Sequence, residues 1–354
     1  MSAKQKILIA LSGGVDSSVA AIMLKEQGYE LIGVTLRVYQ SRFRSDPLEQ
    51  SINDAIILAT KLDIPHYVID VYDDFENTII HNFIDEYQNG RTPNPCALCN
   101  YQIKWKYLIN LADEFACDYI ATGHYAQIKE LNGRYYISKG LDGVKDQSYF
   151  LWRLDQDYLK RTMFPLGSYS KSEIKEIAEQ KGFMTIAKKK ESYDVCFIPE
   201  GDYRNFIKQS GQLITNKLQK GNFVSIEGEV LGAHTGIQNY TIGQRKGLGV
   251  ESNDPLYVIK IDVEQNQIVL GSKNNLQSSV IYLDDYNFSK YENIPKGMLI
   301  KTKIRYKSLE IDSQISFESA KLIVQLSSPV SAITPGQSVV FYEGNDLIGG
   351  GVIC

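Results

Sequence analysis

The chain of 354 residues is longer than one ordinary hydrophobic core supports, so we expect two or three domains. Its 43% apolar and 23% charged residues are typical of a globular protein and exclude a disordered or fibrous one. The formal net charge of -4 gives no overall attraction for nucleic acid, so any RNA contact has to rest on local basic patches. The start lacks the apolar segment of a signal peptide, and no stretch reaches the about 18 apolar residues of a membrane span, which predicts a cytoplasmic protein without a membrane partner.

The first third of the sequence alternates short apolar runs with helical stretches. KILIAL precedes SSVAAIMLKEQG, and LIGVTLRVY precedes SINDAIILATKL; PHYVIDV and DYIATGHYA follow. Strand and helix in alternation predict a doubly wound parallel sheet, which binds ligands at the carboxyl ends of its strands. LSGGVDSS and ATGHY both fall at such ends. A later helix is expected in SKSEIKEIAEQKGF, capped by Ser170 or Ser172.

The sequence pattern changes after residue 210. Short β-branched runs such as PLYVIKIDV and QSVVFYEG are separated by Gly, Asn and Asp turns, with no long helix among them. The fold class is therefore predicted as α/β plus β. We expect a catalytic domain over residues 1–210, a small β-rich linking domain over 211–275, and a closed or nearly closed β-barrel over 276–354.

LSGGVDSS lies between an apolar strand and a helix that is expected to begin near Asp16. Gly13 and Gly14 leave backbone N–H groups uncovered, and with the helix N-terminus they form a nest for an anion such as a phosphate. The GK[ST] ending of a Walker A loop is absent. The alternative is an ordinary glycine-rich turn. The wording SGGVDS resembles the pyrophosphate loop (PP-loop) of the N-type ATP pyrophosphatases, which adenylate a substrate oxygen.

Five cysteines without a signal peptide favour reactive thiols over a disulfide scaffold. The pair in GRTPNPCALCN, Cys96 and Cys99, is open to four interpretations: half a zinc site, a redox couple, a disulfide, or the seat of a nucleophile. No pair of histidines has zinc-ligand spacing. Cys99 is expected near a helix N-terminus, which lowers a thiol pKa, with Lys104 and Lys106 close in sequence. A nucleophile is the resulting expectation.

The other three cysteines differ in setting. Cys117, in LADEFACDYI, is expected to be a buried small residue. Cys196 follows the lysines at 188–190 in AKKKESYDVCFIP, a setting that suits a thiolate and an incoming polyanion. The alternative for Cys196 is a plain apolar position in VCFI. Cys354 is the last residue and has no local signal.

Eight motifs in order resemble the bacterial tRNA-specific 2-thiouridylases, and they extend over nearly the whole chain. They are SGGVDSS, GRTPNPCALCN, ATGHY, KDQSYFL, SYDVCFIP, YTIGQRKGLG, IRYKS and PGQ. This resemblance implies an enzyme that uses ATP to adenylate the oxygen at ring position two of the tRNA wobble uridine and then delivers sulfur to that carbon. It implies that Cys196 carries a persulfide and that Cys99 is its catalytic partner, which either forms a disulfide with Cys196 or takes a direct nucleophilic role. A disulfide would need a reductant before the next turnover.

The resemblance also implies two sets of binding residues. The ATP site would comprise Ala10, Leu11, Ser12, Gly13, Gly14, Val15, Asp16, Ser17, Leu36 and Gly123. The tRNA would be contacted by Asn94, Pro95, Cys96, His124, Lys145, Asp146, Gln147, Arg305, Tyr306 and Gln337. Leu36 stands where relatives often have methionine, and Cys96 where many have an aspartate, so a role that needs a carboxylate there is put in question.

Further partners follow from the same resemblance: a persulfide sulfur-carrier protein or cysteine desulfurase, a cellular reductant, and Mg²⁺ with the ATP. Apart from Asp16, the sequence offers no dedicated metal ligands. Two rival functions stay open at this point. One is a small-molecule amide or amidine synthetase of the same fold, and the other is a non-enzymatic nucleotide-binding RNA chaperone or redox sensor.

Overall fold

The computed structural model describes residues 4–38, 47–183, 195–198, 201–210, 219–295, 297–318 and 321–354. The first seven strands are β1 (Lys6–Ala10), β2 (Glu30–Arg37), β3 (His66–Asp70), β4 (Tyr119–Ala121), β5 (Ala126–Leu131), β6 (Arg134–Lys139) and β7 (Thr162–Met163). Five of them form a sheet in the order β3-β2-β1-β4-β7, and every pairing in it is parallel.

The α-helices are α1 (Val15–Glu26), α2 (Pro47–Lys61), α3 (Tyr72–Phe75), α4 (His81–Gln88), α5 (Pro95–Cys99), α6 (Lys106–Glu114), α7 (Gln156–Leu159), α8 (Lys171–Gln180) and α9 (Tyr203–Gln209). Two π-helical turns, Glu76–Ile80 and Asn100–Trp105, join neighbouring helices. Within the described ranges, no helix is both long and apolar enough to cross a membrane.

Helices cover both faces of the parallel sheet, as the sequence predicted. Because side chains alternate along a strand, Ile7 and Ile9 of β1 pack with α1, α2 and α8, whereas Leu8 packs with α6 on the opposite face. The start of α8 was also predicted correctly: Ser170 caps it, and Glu173 completes a capping box. The loops predicted to bind ATP, after β1 and β4, extend from this sheet.

The remaining strands are β8 (Gly221–Val224), β9 (Val230–His234), β10 (Tyr257–Asp262), β11 (Gln267–Gly271), β12 (Gln277–Phe288), β13 (Ile300–Lys303), β14 (Ile311–Glu318), β15 (Lys321–Ser331), β16 (Ser338–Glu343) and β17 (Asp346–Ile353). The order β10-β11-β8-β9 forms a central sheet. Strands β12-β15-β14-β13-β16-β17 form an antiparallel barrel, which closes because β12 also pairs with β17. The predicted fold class is confirmed.

One hairpin was not foreseen. Strands β5 and β6 follow β4, yet they join the barrel sheet instead of the parallel sheet, through the pairing of Ser138 with Asp346. The hairpin therefore fixes the barrel beside the carboxyl ends of the parallel strands. Short 3-10 turns complete the structure at Ser148–Phe150, Ile237–Asn239 and Lys273–Leu276.

Candidate active site

The glycine loop after β1 has the conformation that an anion nest requires. Gly13 has φ +70°, and a Cβ at this position would lie 2.0 Å from the carbonyl oxygen of Ser51. Gly14 is the N-cap of α1 and provides no side chain to bond the first N–H groups of the helix. Ser17 braces the loop: its Oγ accepts from the Ser12 N–H at 3.1 Å and donates to the Gly14 carbonyl at 3.2 Å. The loop is suited to a phosphate group.

Asp16 faces two residues that the sequence did not single out. The Tyr125 hydroxyl donates to its carboxylate at 2.7 Å, and Lys171 Nζ contacts both carboxylate oxygens, at 2.6 and 2.8 Å. The Lys171 side chain is only 10% exposed, whereas that of Asp16 is 33% exposed. Neither partner is near Asp16 in sequence, so no local pattern could have identified them.

Several residues predicted for the ATP site lie at the ends of three adjacent strands. Ala10 ends β1 and Leu11 follows it, Leu36 lies near the end of β2, and Gly123 follows β4. A Cβ on Gly123 would lie 2.7 Å from the backbone nitrogen of Ser17, so this position tolerates only glycine without a shift of the loop. The structure thus brings the predicted nucleotide residues together around one loop.

Cys96 and Cys99 both lie in the short helix α5, of which Cys99 is the last residue. Asn94 is the N-cap of α5, its side chain accepting from the Ala97 N–H at 3.4 Å, and Pro95 is the first helical residue. Cys96 is exposed, while Cys99 is buried at 7% exposure. The two thiols of this pair are both free.

The expectation of a lowered Cys99 pKa is wrong. Burial raises the pKa of the Cys99 thiol to about 12, and the opposing effect of the Lys104 ammonium is smaller. The physical reason is that the surrounding apolar side chains penalise the thiolate more than the helix terminus and one cation favour it. Lys106 takes no part, since it points to Asp74 at 3.8 Å. Cys117 is buried at 4% exposure, as predicted.

Cys196 lies close enough to Cys99 for the two thiols to interact electrostatically, despite their separation in sequence. Its neighbours Phe197 and Ile198 belong to the same buried apolar cluster as Cys99, while Cys196 itself is exposed. The negative charge of a Cys196 thiolate raises the pKa of Cys99, and this effect ranks third after those of burial and Lys104. The sequence-predicted catalytic cysteines are thus brought together. The lysines at 188–190 lie outside the described residues.

Cys96, Cys99 and Cys196 form what we call the thiol cluster. The Lys104 ammonium lowers the pKa of all three thiols. The pKa of the Cys196 thiol is raised overall. Although solvent reaches this residue, the surrounding protein atoms raise the pKa more than the Lys104 ammonium and the backbone N–H groups of Cys196 and Phe197 lower it. Burial likewise raises the pKa of Cys96, and Lys104 lowers it. A cation beside three thiols favours whichever one is ionised.

His124 lies against the same cation. Burial, and then the charge of Lys104, lowers the pKa of this imidazole to about 3, so the ring is neutral near pH 7. Its Nδ1 is 2.8 Å from Thr122 Oγ1, and the ring centroid is 5.5 Å from that of Trp105 and 6.1 Å from that of Phe164. His124 is therefore held at the end of β4 and is influenced by the same ammonium group as the thiol cluster.

The loop of residues 140–148 contains three of the predicted tRNA contacts, but two of its side chains are committed within the chain. The buried Asp146 carboxylate accepts from the N–H groups of Gly140 and Ser148, each at 3.1 Å. Gln147 Oε1 accepts from the Tyr125 N–H at 3.0 Å. The backbone N–H of Lys145 is bonded to Asp142. Asp146 and Gln147 shape this loop, and Tyr125 links it to Asp16.

Arg305 and Tyr306 face this loop from the barrel. Arg305 Nη2 donates to the carbonyls of Ser331 and Ala332 at 2.8 and 3.1 Å. The Tyr306 ring lies 4.6 Å from that of Phe150, and its pKa is raised by burial and then by the Asp146 carboxylate. Aromatic rings at a rim of this kind can stack on unpaired bases.

Gln337 bonds the backbone directly before the predicted tRNA contacts Asn94, Pro95 and Cys96. Its Nε2 donates to the carbonyls of Thr92 and Pro93, at 2.9 and 3.0 Å. In the ranges that the structure describes, no group of three His, Cys, Asp or Glu side chains is arranged to hold a metal ion.

Comparisons with known proteins match nearly the whole length of the chain. Three family models match in succession: a tRNA methyl transferase HUP domain over residues 5–200, a tRNA methyl transferase PRC-barrel domain over 204–272, and an aminomethyltransferase beta-barrel domain over 278–353. The tRNA-specific 2-thiouridylase MnmA of Cytophaga hutchinsonii is 46% identical, covering 100% of this chain and 98% of the relative. The enzyme of the same name from Amoebophilus asiaticus is 44% identical, covering 99% and 95%.

A more distant likeness is to the U34-tRNA thiolase NcsA of Methanococcus maripaludis, at 19% identity and a TM-score of 0.36, covering 59% of this chain and 67% of that one. The family models are described in terms of methyl transfer, whereas the full-length relatives are thiouridylases. Identity above 40% along the whole length decides between the two descriptions. The chain belongs to the tRNA-specific 2-thiouridylase family, whose members are tRNA sulfurtransferases.

Proposed function

We propose that this protein replaces the oxygen at ring position two of the tRNA wobble uridine with sulfur, at the expense of ATP. The observation that supports the proposal is the electrostatic interaction of Cys99 with Cys196 in the region, residues 5–200, that also contains a glycine loop suited to phosphate. Leu36, one of the residues proposed for the nucleotide site, packs at the end of β2 against the apolar cluster that contains Cys99.

The first step would activate the base. The uridine oxygen attacks the α-phosphorus of ATP, pyrophosphate leaves, and the carbonyl oxygen becomes part of an AMP leaving group. The backbone N–H groups around Gly13 and Gly14 would bind the phosphates. Mg²⁺, which takes one or two carboxylates and substrate phosphates as ligands, would neutralise phosphate charge. The partly exposed Asp16 carboxylate fits that requirement, with Lys171 and Tyr125 orienting it.

The second step would transfer sulfur. The terminal sulfur of a persulfide on Cys196 attacks the activated carbon, AMP leaves with the oxygen, and the base is joined to Cys196 through a disulfide. Cys99 then loses its proton to solvent as its sulfur attacks Cys196 Sγ, which releases 2-thiouridine and leaves a Cys99–Cys196 disulfide. Alternatively, Cys99 attacks the persulfide first and releases hydrosulfide, which displaces AMP. Either order needs a two-electron reductant to restore both thiols.

The exposure of the two cysteines supports this division of roles. Cys196 is exposed, with two backbone N–H groups at its sulfur, and so is suited to receive sulfur from a carrier protein or a cysteine desulfurase. Cys99 is buried and its raised pKa keeps it protonated near pH 7. A protected thiol of this kind would not compete with Cys196 for the incoming sulfur.

The tRNA would be bound between the catalytic domain and the barrel. Asn94, Pro95 and Cys96 would meet the target base, which leaves its stack at a cost of about a few kcal/mol. His124 and Lys145 would contribute from the catalytic domain, with Asp146 and Gln147 shaping their loop. Arg305 and Tyr306 would contribute from the barrel. We also propose residues 1–210, 211–275 and 276–354 as the three domains, in a protein that acts in the cytoplasm.

Two serine variants test the proposal. Cys196→Ser should abolish sulfur transfer while tRNA-dependent formation of AMP and pyrophosphate persists, because adenylation needs no thiol. Cys354→Ser is the matched control, since this cysteine is half-buried at the other end of the chain, and it should thiolate normally. Pyrophosphate formation that does not depend on tRNA would instead favour a small-molecule synthetase. Thiolation by Cys196→Ser at the rate of the unaltered protein would refute the assignment of the sulfur carrier.

A further inference from the structure

A barrel loop, residues 334–338, is hydrogen-bonded to the segment that leads into α5. The Thr92 N–H donates to the Pro335 carbonyl at 2.7 Å. In return, Gln337 Nε2 donates to the Thr92 carbonyl at 2.9 Å and to the Pro93 carbonyl at 3.0 Å. A side-chain amide has two N–H donors, and these two carbonyls use both of them.

The same barrel loop also holds the helix cap. Asn94 Nδ2 donates to Ser338 Oγ at 3.1 Å, and the other end of the Asn94 amide caps α5 through the Ala97 N–H. Ser338 is itself fixed: it is 1% exposed, its Oγ accepts from Trp152 Nε1 at 3.0 Å, and its carbonyl accepts from the Tyr149 hydroxyl at 2.8 Å. The cap therefore rests on a rigid part of the barrel.

The segment before α5 needs such support because it cannot bond itself. Pro93 and Pro95 have no N–H group, so the stretch can form neither a helical turn nor a strand ladder of its own. The carbonyls of Thr92 and Pro93 then depend on a donor from elsewhere in the chain, and Gln337 is that donor. An unsatisfied pair of carbonyls would favour release of the segment, and with it the start of the helix that carries Cys99.

We propose that Gln337 is a positioning residue that latches the cysteine-bearing segment to the barrel, a role beyond the tRNA contact that the family resemblance implies. The latch would hold Cys96 and Cys99 of the catalytic domain at a fixed position relative to an RNA bound on the barrel. The importance of the latch for catalysis rests on the proposed function, but its effect on the burial of Cys99 does not. The latch can therefore be tested even if the chain acts on another substrate.

The test uses Gln337→Met, which keeps the length of the side chain and removes both donors, and Gln337→Glu, which sets a carboxylate against two carbonyls. Gln325→Met is the matched control, because Gln325 is an exposed barrel residue that bonds only neighbouring barrel carbonyls. Alkylation of Cys99 by iodoacetamide in the full-length protein is followed by tandem mass spectrometry. The buried Cys117 is the internal reporter of global unfolding, and binding of a tRNA transcript is measured by filter retention.

Loss of two neutral hydrogen bonds should speed Cys99 alkylation by about tenfold or more in Gln337→Met, and further in Gln337→Glu, with the Cys117 rate unchanged. Gln325→Met should match the unaltered protein. Weaker tRNA binding with no change at Cys99 would overturn the proposal in favour of an RNA contact. Equal acceleration at Cys99 and Cys117 would overturn it in favour of general support of the fold, and no change in either quantity would also overturn it.

Discussion

Replacing Gly13 with alanine tests the tight fit of the glycine loop against α2. The positive φ of +70° costs an L-residue about 1–2 kcal/mol. The new Cβ would also lie 2.0 Å from the Ser51 carbonyl oxygen, where about 3.3 Å is an ordinary carbon–oxygen separation, so loop or helix must move by about 1 Å. Overpacking of this kind adds about 1–3 kcal/mol. We therefore expect the free energy of unfolding to fall by about 2–5 kcal/mol.

Gly133→Ala isolates the backbone contribution, since Gly133 has φ +80° and no atom within 4 Å of an added Cβ. It should lose only about 1–2 kcal/mol. Urea denaturation gives both free energies, and equilibrium dialysis gives ATP affinity, which should fall in Gly13→Ala alone. Equal losses of stability in the two variants, with unchanged ATP binding in both, would refute the argument from loop geometry.

Three further predictions concern the charges around the loop and the thiols. Lys104→Met should slow alkylation of Cys196 at pH 7 by several-fold and move its pH profile upward, because the cation favours the thiolate, whereas the nearby Lys106→Met should leave the profile where it is. Lys171→Met should weaken ATP binding by about tenfold in equilibrium dialysis, since it leaves the Asp16 carboxylate without its neutralising cation beside the phosphates. The pKa of His124 is lowered from 6.5 to about 3, so between these pH values the unfolded chain binds a proton at His124 and the folded chain does not. The free energy of unfolding therefore falls as the pH drops from 6.5 toward 3. His124→Asn should reduce that slope by up to about 1.4 kcal/mol per pH unit, as measured by urea denaturation at a series of pH values.

The parallel sheet could be predicted from sequence because its signals are local. Apolar runs of β1 and β2 are each followed by a helical pattern, and strand–helix alternation leaves few topologies. The capping box at Ser170 is likewise encoded within four residues. The hairpin of β5 and β6 was missed because its membership of the barrel sheet depends on a pairing with β17, more than 200 residues away.

The residues of the site were predictable as motifs, but their interactions were not. No spacing rule connects Asp16 to Lys171, or Thr92 to Gln337, because these contacts exist only after the sheet and barrel have assembled. The prediction of a lowered pKa for Cys99 was wrong for a related reason. Sequence places the thiol near a helix terminus, which lowers its pKa, but burial depends on residues from other parts of the chain and outweighs that effect.

The central claim is that sulfur replaces oxygen on an adenylated tRNA uridine, and mass spectrometry of the RNA product tests it most directly. Unmodified tRNA is incubated with the full-length protein, ATP, Mg²⁺ and a sulfide source, and nuclease fragments of the anticodon loop are weighed. We predict a mass gain equal to exchange of one oxygen for sulfur at the wobble uridine, with AMP and pyrophosphate formed in equal amounts. Consumption of ATP with no sulfur in the RNA, or sulfur incorporated without ATP, would contradict the account.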